Sequence, residues 1–566
     1  MENYIEALNP KPSFNLTWYK NEDLYTDGNV EDKIIELIAQ NEPEDYVDAI
    51  YNNFNWATYY HLSHIRRNIL NWYPFDKESD VLEIGCGLGA ITGLLCDSCK
   101  SVTAVELSKR RATSALLRCR EKENLEIIVG NLNDIEFTKK FDYITLIGVL
   151  EYQGSYTDTE NPYLDFLKKI KGLLKPDGKL LIAIENQYGL KYWCGAHEDH
   201  VSVSFAGINQ YNLTQKQCRT FSKQALDTLI KDSGFKNTYF YYPMPDYKLP
   251  SVVYSEECLP TLSNIQSVKP YYVPNDSTLI ADEKALYKDI INNNVFEFFA
   301  NSFLVECSDA DIEKHVTFAS MSTDRFKEQR IITRFMQNES VEKLSASDTP
   351  DVSHLRQTYD NTKAMSERGL STLQCDFVDN KLVSPFYKGD VLEDVFMKYV
   401  EQRNISDAYI LLENLYQDIL KSSEEIAPEN NLMYTLDFPM EENVNKYGPI
   451  LKIGYLDMIM RNAFVEDNKF IWFDQEWILE NIPAKFVLYR AIKATYDNFP
   501  KINAILSLSE VLYHFELEHL ATDFNELELM FQNAVVDTAH VAEGASFRPK
   551  NNNSIVTNIK KIMNLR

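Results

Sequence analysis

Three glycines at alternate positions, Gly85, Gly87 and Gly89, follow the apolar run from Asp80 to Ile84, and the apolar segment ITGLLC comes directly behind them. Without Cβ atoms the backbone there can turn tightly and let a ligand come close, so strand, glycine turn and helix in that order form a cradle for a nucleotide-like group. Glu106 closes the next apolar run, SVTAVELS, roughly twenty residues after the turn, where a carboxylate can accept hydrogen bonds from both hydroxyls of a ribose. Asn131 stands just past a further run in LEIIVGNLNDI, where its amide can meet an adenine edge. The segment HEDH, from His197 to His200, is the richest titratable cluster in the chain, and a histidine near its ordinary pKa is the natural base at neutral pH. His200 is the expected base, with Asp199 as its orienting partner or substitute. Metal ligation by His197 and His200 is disfavoured, because their spacing is not that of the helical HExxH pair. A third set, Asp457, Asn462 and Asp474, lies far downstream in YLDMIMRNAFVEDNKFIWFDQEW.

The elements that must hold these residues alternate. Strands are expected at Asp80 to Ile84, in SVTAVELS, in LEIIVGNLNDI and from Tyr143 to Ile147, with helical segments between them. LLKPDGKLLIAIEN adds a helix end, a Pro-Asp-Gly turn and a fifth strand. That alternation predicts an α/β, Rossmann-like, mostly parallel sheet with its ligand at the carboxyl ends of the strands. After LPSVVYSEECLP the pattern stops, and a proline-containing run to about Pro274 reads as a connector. Beyond it, antiparallel strands are expected between Glu313 and Met336, a helix ending at Gly369, a strand pair in DFVDNKLVSPFYKGD and a helix in VLEDVFMKYV. Apolar residues at helical spacing return in ILSLSEVLYHFELEHL and NELELMFQNAV. The reading is a helical lead-in over 1–55, an α/β domain over 56–250, a linker over 251–275, an α+β domain over 276–500 and a helical extension over 501–566.

Composition narrows the function classes. A chain of 566 residues divides into about two or three domains, and 45% apolar with 25% charged residues is ordinary for a soluble globular protein. The formal net charge of −27 repels phosphate backbones, so nucleic acid is not the expected partner. With no basic start followed by an apolar run and no long uncharged apolar stretch, the expected location is cytoplasmic, at most peripheral to the inner face of the cell membrane. Nine cysteines in so long a chain suit reduced thiols, and the single CxxC, Cys96 to Cys99, reads as small core residues.

Taken together, VLEIGCGLGAIT, Glu106 and the LKPDG turn resemble the class I S-adenosylmethionine-dependent methyltransferases over roughly Trp56 to Tyr247. The resemblance implies S-adenosylmethionine as cofactor, with Glu83, Gly85, Gly87 and Gly89 at the turn, Glu106 on the ribose and Glu151 at the cofactor end of the pocket. Asn131 departs from the family, many members of which carry aspartate there. A nicotinamide dehydrogenase shares the glycine turn, but Lys175 to Gly178 before the fifth strand has no dinucleotide-binding counterpart. The transferred methyl sits on a reactive sulfonium, so the enzyme mainly aligns a nucleophile and, for a hydroxyl, removes its proton.

ENQYGLKYWCGAHEDH and YYPMPDYKLPSVVYSEECLP resemble the methyltransferases encoded with bacterial surface-polysaccharide glycosyltransferases, which implies a sugar or sugar-phosphate acceptor and glycosyltransferases as partners. Tyr188, Tyr192, Trp193, Tyr241, Tyr242 and Tyr247 suit sugar faces, and suit a core equally. The downstream set resembles the protein-kinase and aminoglycoside-phosphotransferase superfamily. Carried over, Asp457 is its base, Asn462 and Asp474 its magnesium ligands, and ATP its second substrate. No glycine-rich loop precedes it, Arg334 stands where the phosphate-binding lysine belongs and Tyr455 replaces the usual histidine, which implies a degenerate kinase-like domain. The alternatives are a bifunctional kinase-methyltransferase that caps a glycan chain, a non-enzymatic scaffold for glycosyltransferases, and a methyltransferase acting on another small molecule or a protein.

Overall fold

The computed structural model describes residues 2–563 apart from 24, 27, 43–45, 215–216, 273–277, 314, 347–350, 437, 439–444, 467–468 and 547–551. The chain divides into two compact units, Met1–Asp324 together with Thr538–Arg566, and Arg325–Asp537.

The first unit is built on one sheet. Its strands are β1 (Ser13–Asn15), β2 (Asp80–Ile84), β3 (Ser101–Glu106), β4 (Leu125–Val129), β5 (Phe141–Ile147), β6 (Leu174–Glu185), β7 (Asn237–Met244), β8 (Val252–Ser255), β9 (Ser302–Ser308) and β10 (Val316–Met321). The lateral order within this unit is β1-β4-β3-β2-β5-β6-β9-β7-β8-β10. Pairs from β1 to β6 are parallel and those from β6 to β10 antiparallel. Parallel strands covered on both faces need near-continuous apolar runs, and VLEI, VTAV and LEIIV supply them. Chain order reverses at β2, with β3 on one side and β5 on the other, so the crevice for a ligand opens at the carboxyl ends of these strands.

Several boundaries differ from the sequence reading. The region 251–275, expected as a linker, contributes β8, and β9 lies between β6 and β7, so this sheet continues past residue 250 and the first unit runs to Asp324. The signal was weak because SFLVECS is an isolated buried run far from its neighbours in sequence. The lead-in 1–55 holds the helices Glu2–Leu8, Val30–Gln40 and Tyr46–Asn52, but is not helical throughout: its β1 pairs with β4 and widens the sheet. The Pro-Asp-Gly turn is absorbed into β6, where the β5–β6 register shifts between Phe141 and Tyr143. The extension from 501 is split: Leu508–His514 and Ala521–Val535 belong to the second unit, whereas Thr538–Ala545 and Asn552–Ile562 belong to the first. Asn558 anchors the last helix by donating to the Leu279 carbonyl. Among the described residues, no helix is long and apolar enough to cross a membrane.

The second unit carries the expected α+β elements. Strands β11 (Ile331–Met336), β12 (Ser340–Ser345), β13 (Asp376–Val378) and β14 (Lys381–Pro385) pair antiparallel in the order β11-β12-β14-β13. The helix Ser353–Glu367 stops at Gly369, whose φ of +80° only glycine tolerates readily. Helices Leu392–Glu401, Ile405–Ser422 and Ala484–Asn498 enclose the main core with Met458, Trp472 and Phe524. Strand Ile450–Tyr455, beside Ile478–Pro483, leads into the Asp457 loop and a hairpin, Ala463–Glu466 with Lys469–Trp472.

Candidate active site

A cavity of 610 Å³ in the first unit opens where β2, β3, β4 and β5 end, and Gly85, Gly87, Glu106, Asn131, Val149 and His200 are among its lining. Gly85 has φ +74°, and a Cβ there would fall 2.5 Å from Val149 Cγ2. Gly89, at φ +77°, lies so close to the helix Lys109–Arg118 that a Cβ would meet Ala115 Cα at 2.7 Å. The turn therefore needs glycine for both its conformation and its packing. Glu106 is buried at the end of β3, where its carboxylate accepts from Gly87 N–H at 2.8 Å and Ser108 N–H at 3.1 Å. The same carboxylate thus ties the glycine turn to the strand end. Glu83 is also buried, one of its oxygens has no hydrogen-bond partner, and burial pushes its carboxyl up to about 7. Asn131 lines the cavity but already works locally, accepting from Asn133 N–H and donating to the Tyr156 carbonyl.

Next to this half of the cavity lies a buried charge cluster. His200 bridges Tyr152 through Nδ1 at 3.1 Å and Glu185 through Nε2 at 3.0 Å, with Glu151 Oε1 4.0 Å from the same nitrogen. Glu185 reaches Lys248 through its other oxygen. Lys248 also pairs with Asp199 at 3.1 Å and Asp246 at 3.5 Å, and Lys191 joins Asp199 at 2.9 Å and Asp246 at 2.5 Å. Burial opposes charge on His200, yet Glu185, helped by Glu151 and Glu198, outweighs it and lifts the imidazole to about 10. Burial likewise opposes ionisation of Glu185, but Lys248 and His200 hold it well below the usual carboxylate range. Glu151 is the exception. It is fully buried, neither carboxylate oxygen has a hydrogen-bond partner, and burial pushes it up to about 8 against the pull of His200.

The structure thus gathers Glu83, Gly85, Gly87, Glu106, Asn131, Glu151, Asp199 and His200 around one cavity, with Gly89 fixing the turn behind them. It changes two pairings. Glu185, not Asp199, holds the His200 ring, because Asp199 is taken by Lys191, Lys248 and Tyr192. Tyr152 and Glu185 between them engage both ring nitrogens of His200, and the raised pKa favours its protonated form, which works against the base role expected from its residue type. His197 lines the cavity, with Nδ1 2.9 Å from the Ser202 carbonyl.

Of the aromatics expected to meet a sugar, Tyr241 packs on Trp72, Tyr242 donates to Glu297 and Tyr192 donates to Asp199, all three buried. Tyr188 stacks on Phe298 and Trp193 is largely exposed. Tyr247 alone of that group lines the cavity; the wall is completed by Tyr25, Trp56, Tyr60, Tyr152 and Tyr271, which come from four separate stretches of chain and share no sequence signal. Cys96 and Cys99 are free and buried, as read from their spacing.

With this geometry in place, residues 82–182 match the family described as Methyltransferase domain. This segment is a class I methyltransferase domain. Malonyl-[acyl-carrier protein] O-methyltransferase of Priestia megaterium is 30% identical over 124 residues, which is 22% of this chain and 42% of that protein. An uncharacterized methyltransferase of Staphylococcus carnosus is 34% identical over 114 residues, 20% of this chain and 51% of that protein. The chain therefore spans about half the length of the curated relatives it matches. Among solved structures, phosphoethanolamine N-methyltransferase 2 of Haemonchus contortus in complex with S-adenosyl-L-methionine is 17% identical, covering 48% of this chain and 56% of that chain, with a TM-score of 0.28.

The downstream set also converges, within the second unit. Asp457 accepts from the N–H groups of Glu476 (3.0 Å) and Trp477 (3.1 Å), and Asn462 donates to the Asp457 carbonyl at 3.2 Å. Lys343 pairs with Asp474 and, at 3.4 Å, with Glu476, while Arg325 pairs with Glu476. Burial, reinforced by Glu476, pushes Asp457 up to about 6. Burial opposes charge on Glu476, but Arg325 and Lys343 hold it well below the usual range. Arg334, which the resemblance put in the lysine position, instead pairs with Glu342 across the β11–β12 ladder. From this ladder it is Lys343 that reaches the acids, one residue on from Glu342 and therefore on the other face of the strand.

Proposed function

We propose that the protein is an S-adenosylmethionine-dependent methyltransferase that methylates a hydroxyl of a small polyhydroxyl acceptor, a sugar of bacterial surface-polysaccharide synthesis being the leading candidate. The observation that carries this reading is the Glu106 carboxylate tied to the glycine turn at the strand-order reversal, beside a second, aromatic-walled half of one cavity. Glu106 would receive the ribose hydroxyls, the Gly85–Gly89 turn the methionine end, and Asn131 the adenine side. Glu83 and Glu151 suit a cofactor that carries a sulfonium and an ammonium, since neither buried acid has a full set of partners.

The acceptor would lie against Tyr152, His200 and the rings of Trp56, Tyr60, Tyr247 and Tyr271. Pyranose C–H faces pack well on such rings. A neutral hydroxyl suits this wall better than a phosphate, because the cations near it are already paired with carboxylates. The methyl would move from sulfur to oxygen in line, the C–S pair staying on sulfur, so alignment supplies most of the rate. Isothermal titration with S-adenosylmethionine, followed by an acceptor panel of sugars, sugar phosphates and carboxylic acids, tests this; turnover of the acids alone would reject the hydroxyl reading.

One observation favours a second activity. Asp457, Asn462, Asp474 and Lys343 come together in the second unit, which supports a kinase-like site for Mg-ATP, with Asp457 as base and Asn462 and Asp474 as metal ligands. Mg-ATP should then raise the thermal midpoint of the wild type, and Asp474→Ala should abolish the rise. A wild type indifferent to Mg-ATP leaves this unit a binding or scaffold module. The cytoplasmic face of the membrane and polysaccharide glycosyltransferases are the proposed setting and partners.

A further inference from the structure

Glu151, Glu185 and His200 each present one ligand atom within 4.8 Å of the others, a carboxylate oxygen from each acid and Nε2 of the ring. Two features set this trio apart from an ordinary buried ion pair. Glu151 is fully buried and lines the cavity with both oxygens lacking any hydrogen-bond partner. A carboxylate in that condition is costly to fold around unless something binds it. Among the described residues, Lys191, Lys248 and His200 are matched by Glu185, Asp199 and Asp246, so Glu151 is left without a cation of its own. Glu198, the nearest further acid, is accounted for by the N–H groups of His200 and Val201 and by the Tyr211 hydroxyl.

We propose that Glu151, Glu185 and His200 form a divalent-cation site on the acceptor side of the cavity. The ion takes the place of two protons, one on the imidazole and one on Glu151, both of which leave to solvent, and the four carboxylates are then balanced by two lysines and one dication. Glu185 keeps Oε1 on Lys248 and turns Oε2, now shared with His200, to the metal. Tyr152 holds the far side of the ring through Nδ1, as an outer partner that fixes the orientation of a metal-bound imidazole. Two carboxylates and one imidazole suit Mn2+, Fe2+ or Zn2+. Three protein ligands leave positions for two neighbouring oxygens of an acceptor.

The inference rests on the methyltransferase reading and deepens it: the acceptor class becomes a vicinal diol. One of its hydroxyls, bound to the ion, gives its proton to solvent, its oxygen forms the new C–O bond, and the C–S bond breaks with the pair left on sulfur.

The test is calorimetric titration of the full chain with Mn2+ in the absence of S-adenosylmethionine, paired with NMR of the histidine ring protons. One Mn2+ per chain is expected, with selective broadening of the His200 resonance, assigned through His200→Gln. Glu151→Gln and His200→Gln should each weaken binding at least about tenfold while retaining a cooperative melt. Should a variant fail to fold, the wild-type broadening pattern decides. No Mn2+ binding, binding that Glu151→Gln leaves intact, or broadening that spares His200 overturns the proposal. S-adenosylmethionine binding is measured separately, so a chain that binds cofactor without metal loses only this inference, and one that binds metal without cofactor keeps the cation site but loses the methyltransferase reading and the diol acceptor with it.

Discussion

The two units each bury a cluster of acids and cations, and the clusters differ in how completely they are satisfied. In the second unit Asp457 is held by two backbone N–H groups, Asp474 by Lys343, and Glu476 by Arg325, Lys343 and His354. In the first unit most acids are equally well paired, but Glu151 and one oxygen of Glu83 are not, and both face the cavity. Removing a partner from the closed cluster exposes a charge to a dry interior and should be read out as lost stability. Changing the open one should be read out as altered binding. An ATP phosphate entering the second unit must first displace Lys343 from Asp474, whereas a cation entering the first displaces only protons.

The comparison breaks most visibly at Glu476. Glu476→Gln leaves Arg325 and Lys343 short of a counter-charge, and urea denaturation should report a loss of about 3 kcal/mol, with S-adenosylmethionine affinity unaltered. Equal loss of cofactor binding would mean that the two clusters are not independent. Gly87→Asp comes next. It sets a side chain at φ +56°, close to the Arg111 guanidinium, and a new acid beside Glu106, so calorimetry should show cofactor affinity falling at least about 100-fold. Glu106→Ala removes the proposed ribose acceptor but spares the turn's conformation, and roughly tenfold weaker binding is expected.

The smallest effect is a pH dependence at Glu83. Its folded-state pKa is raised from 4.5 to about 7 by burial, so its protonated form is favoured in the free protein. Its share of folding stability is therefore full below the ordinary carboxyl range and is lost as pH rises through about 7. A cationic cofactor favours the ionised form, so affinity should increase by about fivefold between pH 6 and 8. Glu83→Gln, which cannot ionise, should flatten both profiles; an unchanged slope in the variant would place the titrating group elsewhere.

Much of the glycine-turn end of the cavity was legible because it is local. Gly85, Gly87, Gly89 and Glu106 sit within one βαβ turn, and each strand from β2 to β5 announces itself as an apolar run. The acceptor half was not legible, because Glu185, Lys248 and the ring wall meet only after β6, β7 and the segments between them have folded together. The HEDH segment pointed to His200 but not to its partner: sequence neighbourhood suggested Asp199, and the fold supplied Glu185 from the end of β6. Likewise Arg334 was read by its place in a motif, whereas strand alternation sends Lys343 to the acids. The sheet's extent was underestimated for the same reason, since β9 joins β6 across more than a hundred residues of chain and carries no local mark of its position.

The most direct measurement is isothermal titration of the full chain with S-adenosylmethionine. One cofactor per chain, with binding lost in Gly87→Asp and weakened in Glu106→Ala, is the predicted result; a folded wild type that takes up no S-adenosylmethionine would contradict the account.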